Sequence, residues 1–304
     1  MRLVAAVLLL TLLLGCALPR IEPAHGPKPT LRFLPDAPPR AVVLALHGFN
    51  DRKAAFAGFG AFLAANGVAL VAYDQQGFGA NPDRGFWPGA DALVDDAAAA
   101  VRATAAEFPH AALYVLGESM GVATLTLMLA RPDAPPVDGA ILVAPGVWGG
   151  DALNPFYRLL LWAAVHVAPG YTLTGKGLNR RPSDNVPMLR ELGRDPLTIK
   201  ATRIDAIAGA VGLMGKARAA AAALRVPSLV LLGTNDQIVP PGVQASFTRD
   251  IAATDCTAVR YAEGWHMLLR DLERERVWKD VLAWIGTGRP LATDAVPCRR
   301  LPDP

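Results

Sequence analysis

Gly117-Glu118-Ser119-Met120-Gly121 stands between an apolar run, Ala111 to Leu116, and a stretch with helical spacing, Val122 to Ala130. The run reads as a buried strand and the stretch as a helix, so the pentapeptide is a strand–turn–helix junction of the form G-x-S-x-G. Such a junction is sharp. Its apical residue must take a strained backbone conformation, and the glycines two positions to either side let strand and helix pass closely. The strain lifts the Ser119 hydroxyl clear of the sheet and aims a helix N-terminus at the space in front of it. Ser119 is therefore a candidate nucleophile.

A serine hydroxyl is a weak nucleophile at neutral pH and needs a base that is itself oriented by an acid. Both follow in the chain. Val226 to Leu232 reads as another buried strand, ended by Gly233-Thr234-Asn235-Asp236. Asp236 then lies in a loop at a strand's carboxyl end, where open α/β sheets hold their chemistry. An Asn-Asp pair also suits a plain turn; the histidine that the next strand delivers favours the acid role. Thr257 to Tyr261 reads as that strand, followed by Ala262-Glu263-Gly264-Trp265-His266, with a helix expected to begin near Leu268.

Five histidines compete for the role of base. His25 lies in a Pro-rich stretch and His47 directly follows a strand. His110 precedes the Ala111 strand, at the end of the sheet away from Ser119. His166 sits in an apolar helical stretch and reads as a packed or hydrogen-bonded core residue. Only His266 lies beyond Asp236. The electrophilic part of the site is expected after the strand Ala41 to Leu46, in His47-Gly48-Phe49-Asn50-Asp51. The backbone N–H groups of Phe49 and Met120 are the candidate oxyanion donors, the second favoured by the dipole of the helix it opens.

Strand-like and helix-like runs alternate around this frame. Lys53 to Asn66 reads as a helix, Val68 to Tyr73 as a strand, Ala90 to Glu107 as a helix and Ala140 to Val143 as a strand. Alternation of this kind predicts the α/β class, a mostly parallel sheet with right-handed crossovers and helices on both faces. Between Val147 and Leu224 no strand–helix unit is convincing. Pro155 to Val167 is strongly apolar, while Leu178 to Arg203 is polar and Pro-interrupted. Residues 148–224 are read as a mainly helical lid inserted over the site, whose apolar side chains either line an acyl pocket or pack on the core.

The 304 residues suit one such domain with an insertion. The net charge of +3 is not gathered into a long basic run, so nucleic acid is not an expected partner, and Arg180-Arg181 and Arg299-Arg300 read as solvated. At the start, Arg2 precedes an apolar segment, Val4 to Leu14, too short to span a bilayer. It ends in Leu13-Leu14-Gly15-Cys16, which resembles the lipobox of bacterial lipoproteins. That resemblance implies a signal peptide over 1–15, cleavage before Cys16 and a diacylglyceryl thioether on its sulfur; ordinary secretion is the alternative. Ala17 rather than Asp follows the cysteine, which in Gram-negative lipoproteins permits passage to the outer membrane. The expected location is the cell envelope, lipid-anchored and facing the periplasm. Residues 16–38 are Pro-rich and read as a semi-rigid tether. With Cys16 set aside, Cys256 and Cys298 are left either as a disulfide or as two free thiols.

Taken together, these residues resemble the monoacylglycerol lipase and lysophospholipase branch of the α/β-hydrolases, which is grouped with serine aminopeptidase-like (S33) hydrolases. The matching pieces are His47-Gly48, Asp74-x-x-Gly77-x-Gly79, the Ser119 elbow with Met120, Gly233-Thr234-Asn235-Asp236-x-x-Val239, and His266. Two positions depart from the family pattern. The loop after the first strand reads HGFND instead of HGxGE, and Val122 replaces a second glycine after the elbow. The resemblance implies a catalytic domain over 39–147 and 225–304, no metal or organic cofactor, and an acyl glycerol or lysophospholipid substrate. A serine at the elbow argues against the dehalogenases and epoxide hydrolases of the same fold, which use a carboxylate there. Two other functions stay open. An aminopeptidase-type enzyme would need a lid carboxylate for a substrate ammonium, for which Asp184, Glu191 and Asp205 are available. A non-catalytic envelope lipoprotein would bind lipid or a partner through the lid.

Overall fold

The computed structural model describes residues 28–304. The signal peptide, Cys16 and His25 lie outside the described residues. A single eight-stranded sheet forms the body. Its strands are β1 (Thr30–Phe33), β2 (Ala41–Leu46), β3 (Val68–Tyr73), β4 (Ala112–Glu118), β5 (Gly139–Val143), β8 (Ser228–Gly233), β9 (Cys256–Tyr261) and β10 (Val296–Pro297), in the spatial order β1-β3-β2-β4-β5-β8-β9-β10. The six central strands are parallel, and the short edge strands β1 and β10 are antiparallel to their neighbours. A parallel sheet must be covered on both faces. Every residue of β2, β3, β5 and β8 is accordingly buried, which explains why these strands read as continuous apolar runs.

The helices of the body are α1 (Ala57–Ala65), α2 (Ala90–Glu107), α3 (Met120–Leu129), α7 (Pro241–Asp250) and α8 (Arg274–Thr287). On one face, Phe59 and Leu63 of α1 pack with Val277, Trp278, Val281 and Trp284 of α8. On the other, α2 turns a stripe of Val94, Ala97, Ala98 and Val101 inward, at the three-to-four-residue spacing of a half-buried helix, against Leu125 and Met128 of α3 and Phe247 of α7.

Between β5 and β8 the chain leaves the sheet as the lid. It holds α4 (Pro155–Val167), β6 (Thr172–Thr174), α5 (Val186–Arg194), β7 (Ala201–Arg203) and α6 (Ile204–Ala219), and β6 and β7 pair as a small antiparallel ribbon. This ribbon falls where no strand is expected from sequence. Its strands are three residues long and β6 is fully exposed, so no buried apolar run marks it. Helix α6 packs on α3 through Leu213, Ala217, Met120 and Ala123. Helix α4 has no buried residue. Phe156, Tyr157, Leu159, Leu160, Trp162 and Val167 are exposed, Val167 to 84%.

Three expectations need correction. The Pro-rich tether does not reach residue 38, because Thr30–Phe33 pairs with β3 as an edge strand. The last helix begins at Arg274, not near Leu268, because a turn-rich loop first brings His266 back over the sheet. His166 is exposed, not a core residue, and its Nδ1 bonds the Trp162 carbonyl one helical turn earlier. Arg181 is exposed, as expected, and in addition stacks on the Trp265 ring and donates to the Ser183 carbonyl. The question over the cysteines is resolved in favour of a bridge: Cys256 and Cys298 form a disulfide, pinning the C-terminal turn to the amino end of β9.

Candidate active site

The chain crosses from one side of β2 to the other between β3 and β4, so the carboxyl ends of β2 and β4 flank a topological switch point. The loop after β2 and the turn after β4 meet there. Strand β4 runs through Gly117 and Glu118, still paired with Leu142 and Val143, and α3 starts at Met120. Ser119 alone makes the turn, with φ 54° and ψ −112°. A non-glycine residue in this region is strained by about 1–3 kcal/mol. The strain is held by three backbone bonds: Ser119 N–H to the Val143 carbonyl (2.9 Å), and the N–H groups of Val122 and Gly146 to the Ser119 carbonyl (3.0 Å each). A Cβ on Gly117 would lie 2.5 Å from backbone atoms of Gly121 and Val122, and one on Gly121 would strike the Leu46 backbone. Both glycines of the pentapeptide are therefore required by close approach.

The turn after β8 carries Asp236, and the loop after β9 carries His266. His266 Nε2 lies 2.9 Å from Ser119 Oγ, and its Nδ1 lies 2.7 Å from Asp236 Oδ2. The three predicted side chains thus converge from three loops, with Ser119 7% and His266 6% exposed. Asp236 is fixed independently of the histidine. Its Oδ1 accepts the N–H groups of Ile238 (2.7 Å) and Val239 (3.0 Å), and its Oδ2 also accepts Gln244 Nε2 (3.0 Å). Burial by itself raises the Asp236 pKa. The facing imidazole and the two backbone donors outweigh it and hold the carboxyl below the usual range. Burial likewise disfavours a charged His266, but Asp236, helped by Glu118, wins and raises its pKa. An acceptor-only carboxylate on Nδ1 fixes the proton there and leaves Nε2 as an acceptor for the serine O–H.

The loop after β2 is built around His47. This ring is fully buried, donates from Nδ1 to the Gly48 carbonyl (2.8 Å) and accepts the Gln75 N–H at Nε2 (3.1 Å); burial lowers its pKa and keeps it neutral. Asp74, from the Asp74-x-x-Gly77-x-Gly79 motif read in the sequence, accepts Lys53 Nζ, the Lys53 N–H and the Ala80 N–H. Gly79 has φ +60° and lies so close to the Asp74 carboxylate that no side chain fits. Asp74-x-x-Gly77-x-Gly79 is therefore scaffolding that holds the loop from behind. Asn50 takes φ 65°, a left-handed conformation that Asn tolerates and most residues do not. This accounts for Asn where the family pattern has Gly. Asn50 also clasps the lid, donating Nδ2 to Thr202 Oγ1 (2.8 Å) and accepting the Ile199 N–H (3.0 Å). Among the described residues, the N–H groups of Phe49 and Met120 have no hydrogen-bond acceptor, as donors kept for a ligand would require. Val122, the second departure, is wholly buried in the core behind the elbow.

Several polar partners of the site have no signal in the sequence. Gln244 reaches Asp236 from α7. Arg270 Nη2 bonds both Asp51 Oδ2 (2.6 Å) and Glu118 Oε2 (2.9 Å). Asp271 receives Ser183 Oγ (2.6 Å) and the Trp265 N–H (2.7 Å), joining the lid to the histidine loop. Glu118 and Asp51 were in plain view, inside the opening pentapeptide and the loop after the first strand.

Comparison with known proteins agrees with this architecture. A family model described as serine aminopeptidase, S33, matches residues 37–273. The monoacylglycerol lipase of Mycolicibacterium smegmatis is 26% identical over 258 residues, covering 83% of this chain and 90% of that protein. Two solved structures share the fold. The monoacylglycerol lipase of Paleococcus ferrophilus has a TM-score of 0.72 at 19% identity, over 86% of this chain and 98% of that one. A soluble variant of the monoglyceride lipase of Saccharomyces cerevisiae, bound to a substrate analogue, has a TM-score of 0.74 at 16% identity, over 89% and 99%. With a family match spanning most of its length and a fold to go with it, the chain belongs to the serine aminopeptidase S33 family of α/β-hydrolases.

Proposed function

We propose that the protein is a serine carboxylic-ester hydrolase that cleaves monoacylglycerols or lysophospholipids through an acyl-enzyme. The observation that carries this reading is the unbroken relay from Ser119 Oγ through His266 to Asp236. His266 Nε2 takes the serine proton as the oxygen attacks the ester carbonyl. Asp236 holds the tautomer and stabilises the imidazolium. The N–H groups of Phe49 and Met120 receive the oxyanion. His266 then protonates the leaving alkoxide, and water deacylates Ser119 by the same proton path in reverse.

The lid supports a single-chain acyl substrate. Its helix α4 exposes a row of large apolar side chains, a surface suited to lipid. The relatives named above are monoacylglycerol lipases, and a lysophospholipid offers the same chemistry, one acyl ester on a polar head. The peptidase reading is less favoured because two of its three candidate carboxylates are engaged. Arg203 neutralises Asp205 and Asp184 Oδ1 accepts the Leu272 N–H, while Glu191 lines a cavity with Asp51, Arg52 and Arg270. The test is turnover of monooleoylglycerol, lysophosphatidylcholine, p-nitrophenyl butyrate and leucine p-nitroanilide, with Ser119→Ala as control. Esters should be cleaved far faster than the anilide, and Ser119→Ala should lose about 10⁶-fold in kcat. A variant that keeps most of its activity, or a preference for the anilide, sinks the proposal.

We propose further that the enzyme sits in the bacterial envelope, anchored through lipidated Cys16 and facing the periplasm, from the lipobox-like Leu13-Leu14-Gly15-Cys16. The Cys256–Cys298 bridge supports an oxidising compartment. Among the described residues no helix is long and apolar enough to cross a membrane. Cys16→Ser should move the activity from the membrane fraction to the soluble one; an unchanged partition contradicts the anchor.

A further inference from the structure

Three loops must hold their relative positions within a fraction of an ångström for the relay and the oxyanion donors to act together. They come from β2, β4 and β9 and share no strand. One side chain touches all three. Arg270 belongs to the histidine loop, four residues after His266, and its Nη2 binds Asp51, two residues after Phe49, and Glu118, the residue before Ser119. All three groups are withdrawn from solvent, with side-chain exposures of 13%, 8% and 3%. We infer that Arg270, through Asp51 and Glu118, is a positioning residue that sets the oxyanion loop and the nucleophile turn in register with His266. The inference rests on the serine-hydrolase reading above.

The arrangement is more than a solitary ion pair. Two carboxylates share one guanidinium nitrogen, so each depends on Arg270 to sit near the other. Without the cation two like charges would face each other in a poorly solvated site, and one would protonate or move away. Either response shifts a catalytic loop, because Asp51 also anchors its own loop, through Oδ1 to the Arg52 N–H (2.8 Å) and through its N–H to the Gly48 carbonyl (3.2 Å). The histidine side is equally fixed. The Arg270 N–H bonds the Met267 carbonyl (2.8 Å), and its own carbonyl accepts Asn185 Nδ2 of the lid (2.8 Å). Arg270 is thus tied by backbone to the lid and to the histidine turn, and by side chain to the other two loops. A lysine keeps the charge but carries it on a flexible stem one atom shorter, so its ammonium does not sit where Nη2 bridges the two carboxylates.

The experiment compares wild type, Arg270→Lys and the charge-balanced double variant Arg270→Met/Glu118→Gln. Active sites are counted with a fluorophosphonate, and kcat and KM are measured on p-nitrophenyl butyrate with a melting curve for each protein. The double variant removes one charge of each sign, so it keeps the protein testable if an uncompensated cluster unfolds. Expected is a fall in kcat per labelled site of about 10-fold for the lysine and about 100-fold for the double variant, with KM within twofold and a slower labelling rate at Ser119. If both variants turn over at the wild-type rate per labelled site, whether or not Tm falls, Arg270 is structural only and the inference is overturned while the hydrolase reading stands. If wild type itself is not labelled at Ser119, the hydrolase reading falls and takes the inference with it.

Discussion

Gly117→Ala adds one methyl group at the closest approach of strand and helix. The new Cβ would lie 2.5 Å from Gly121 C and Val122 N, where ordinary contact begins at 3.4 Å and distances under 3.0 Å essentially never occur. Both partners are backbone, so no side chain can swing aside. The first turn of α3 must retreat from β4 by roughly 0.5–1 Å, the distance missing from van der Waals contact. Ser119 is the link between the two elements, so the retreat is taken up at the nucleophile and at the Met120 N–H. A misplacement of that size costs about 10- to 100-fold in kcat. Overpacking of a filled core costs about 1–3 kcal/mol, which in a chain of this size lowers Tm by roughly 2–5 °C. Gly286→Ala is the control: it lies on the exposed face of helix α8 with no heavy atom within 4 Å of the added carbon, and should stabilise by about 0.5–1 kcal/mol without touching turnover. The assay is p-nitrophenyl butyrate hydrolysis per fluorophosphonate-labelled site, with a thermal melt. If Gly117→Ala matches wild type in both, the glycine is not there for close packing and the geometric account of the elbow is wrong.

Two further outcomes follow from the site and its surroundings. As the proposed base His266 must be neutral, and its pKa is raised because Asp236 outweighs the effect of burial, so kcat/KM should fall toward acid with a midpoint above the ordinary 6.5; Asp236→Asn should move that midpoint down and lower kcat by about 10⁴-fold, and a midpoint well below 6 in wild type would contradict the charge coupling. Cys256→Ala/Cys298→Ala opens a loop with a separation of 42 residues, which should cost about 4 kcal/mol; kcat should be unchanged, because the bridge sits at the amino end of β9 and His266 lies beyond its carboxyl end, and a loss of turnover at unchanged Tm would refute that placement.

The sheet was legible because parallel strands are buried on both faces and leave continuous apolar runs. Ala41–Leu46, Val68–Tyr73 and the run before Ser119 all appear in the fold at nearly their expected limits. The edge was not legible. Thr30–Phe33 is half exposed and pairs on one side only, so its four residues carry too weak an alternation to separate them from the Pro-rich stretch before them. A mainly helical lid was read from the sequence, but the elements inside it were not legible, for a related reason. Its ribbon and helices rest on the body by a few side chains instead of enclosing a core, and α4, the most apolar stretch in the region, turns that surface outward. Apolarity marked a face without saying whether protein or lipid would cover it.

The site divides along the same physical line. Ser119, Asp236 and His266 were readable because each chemical role demands one residue type at one end of a strand, and chain order removed the competitors. Glu118, Arg270 and Gln244 answer to no such rule. Many long polar side chains could have reached Asp236 from α7, or bridged Asp51 to the nucleophile turn, and only the packing of loops distant in sequence selects the one that does. Their cost is also paired. A lone Glu118 behind the nucleophile would be an unneutralised buried carboxylate, its pKa pushed up chiefly by desolvation. Arg270, 152 residues away, makes that carboxylate tolerable, and the same bond makes the two loops a single unit. A reading that takes residues one at a time finds the reacting groups; the groups that keep them in register become visible only when the charges are required to balance in three dimensions.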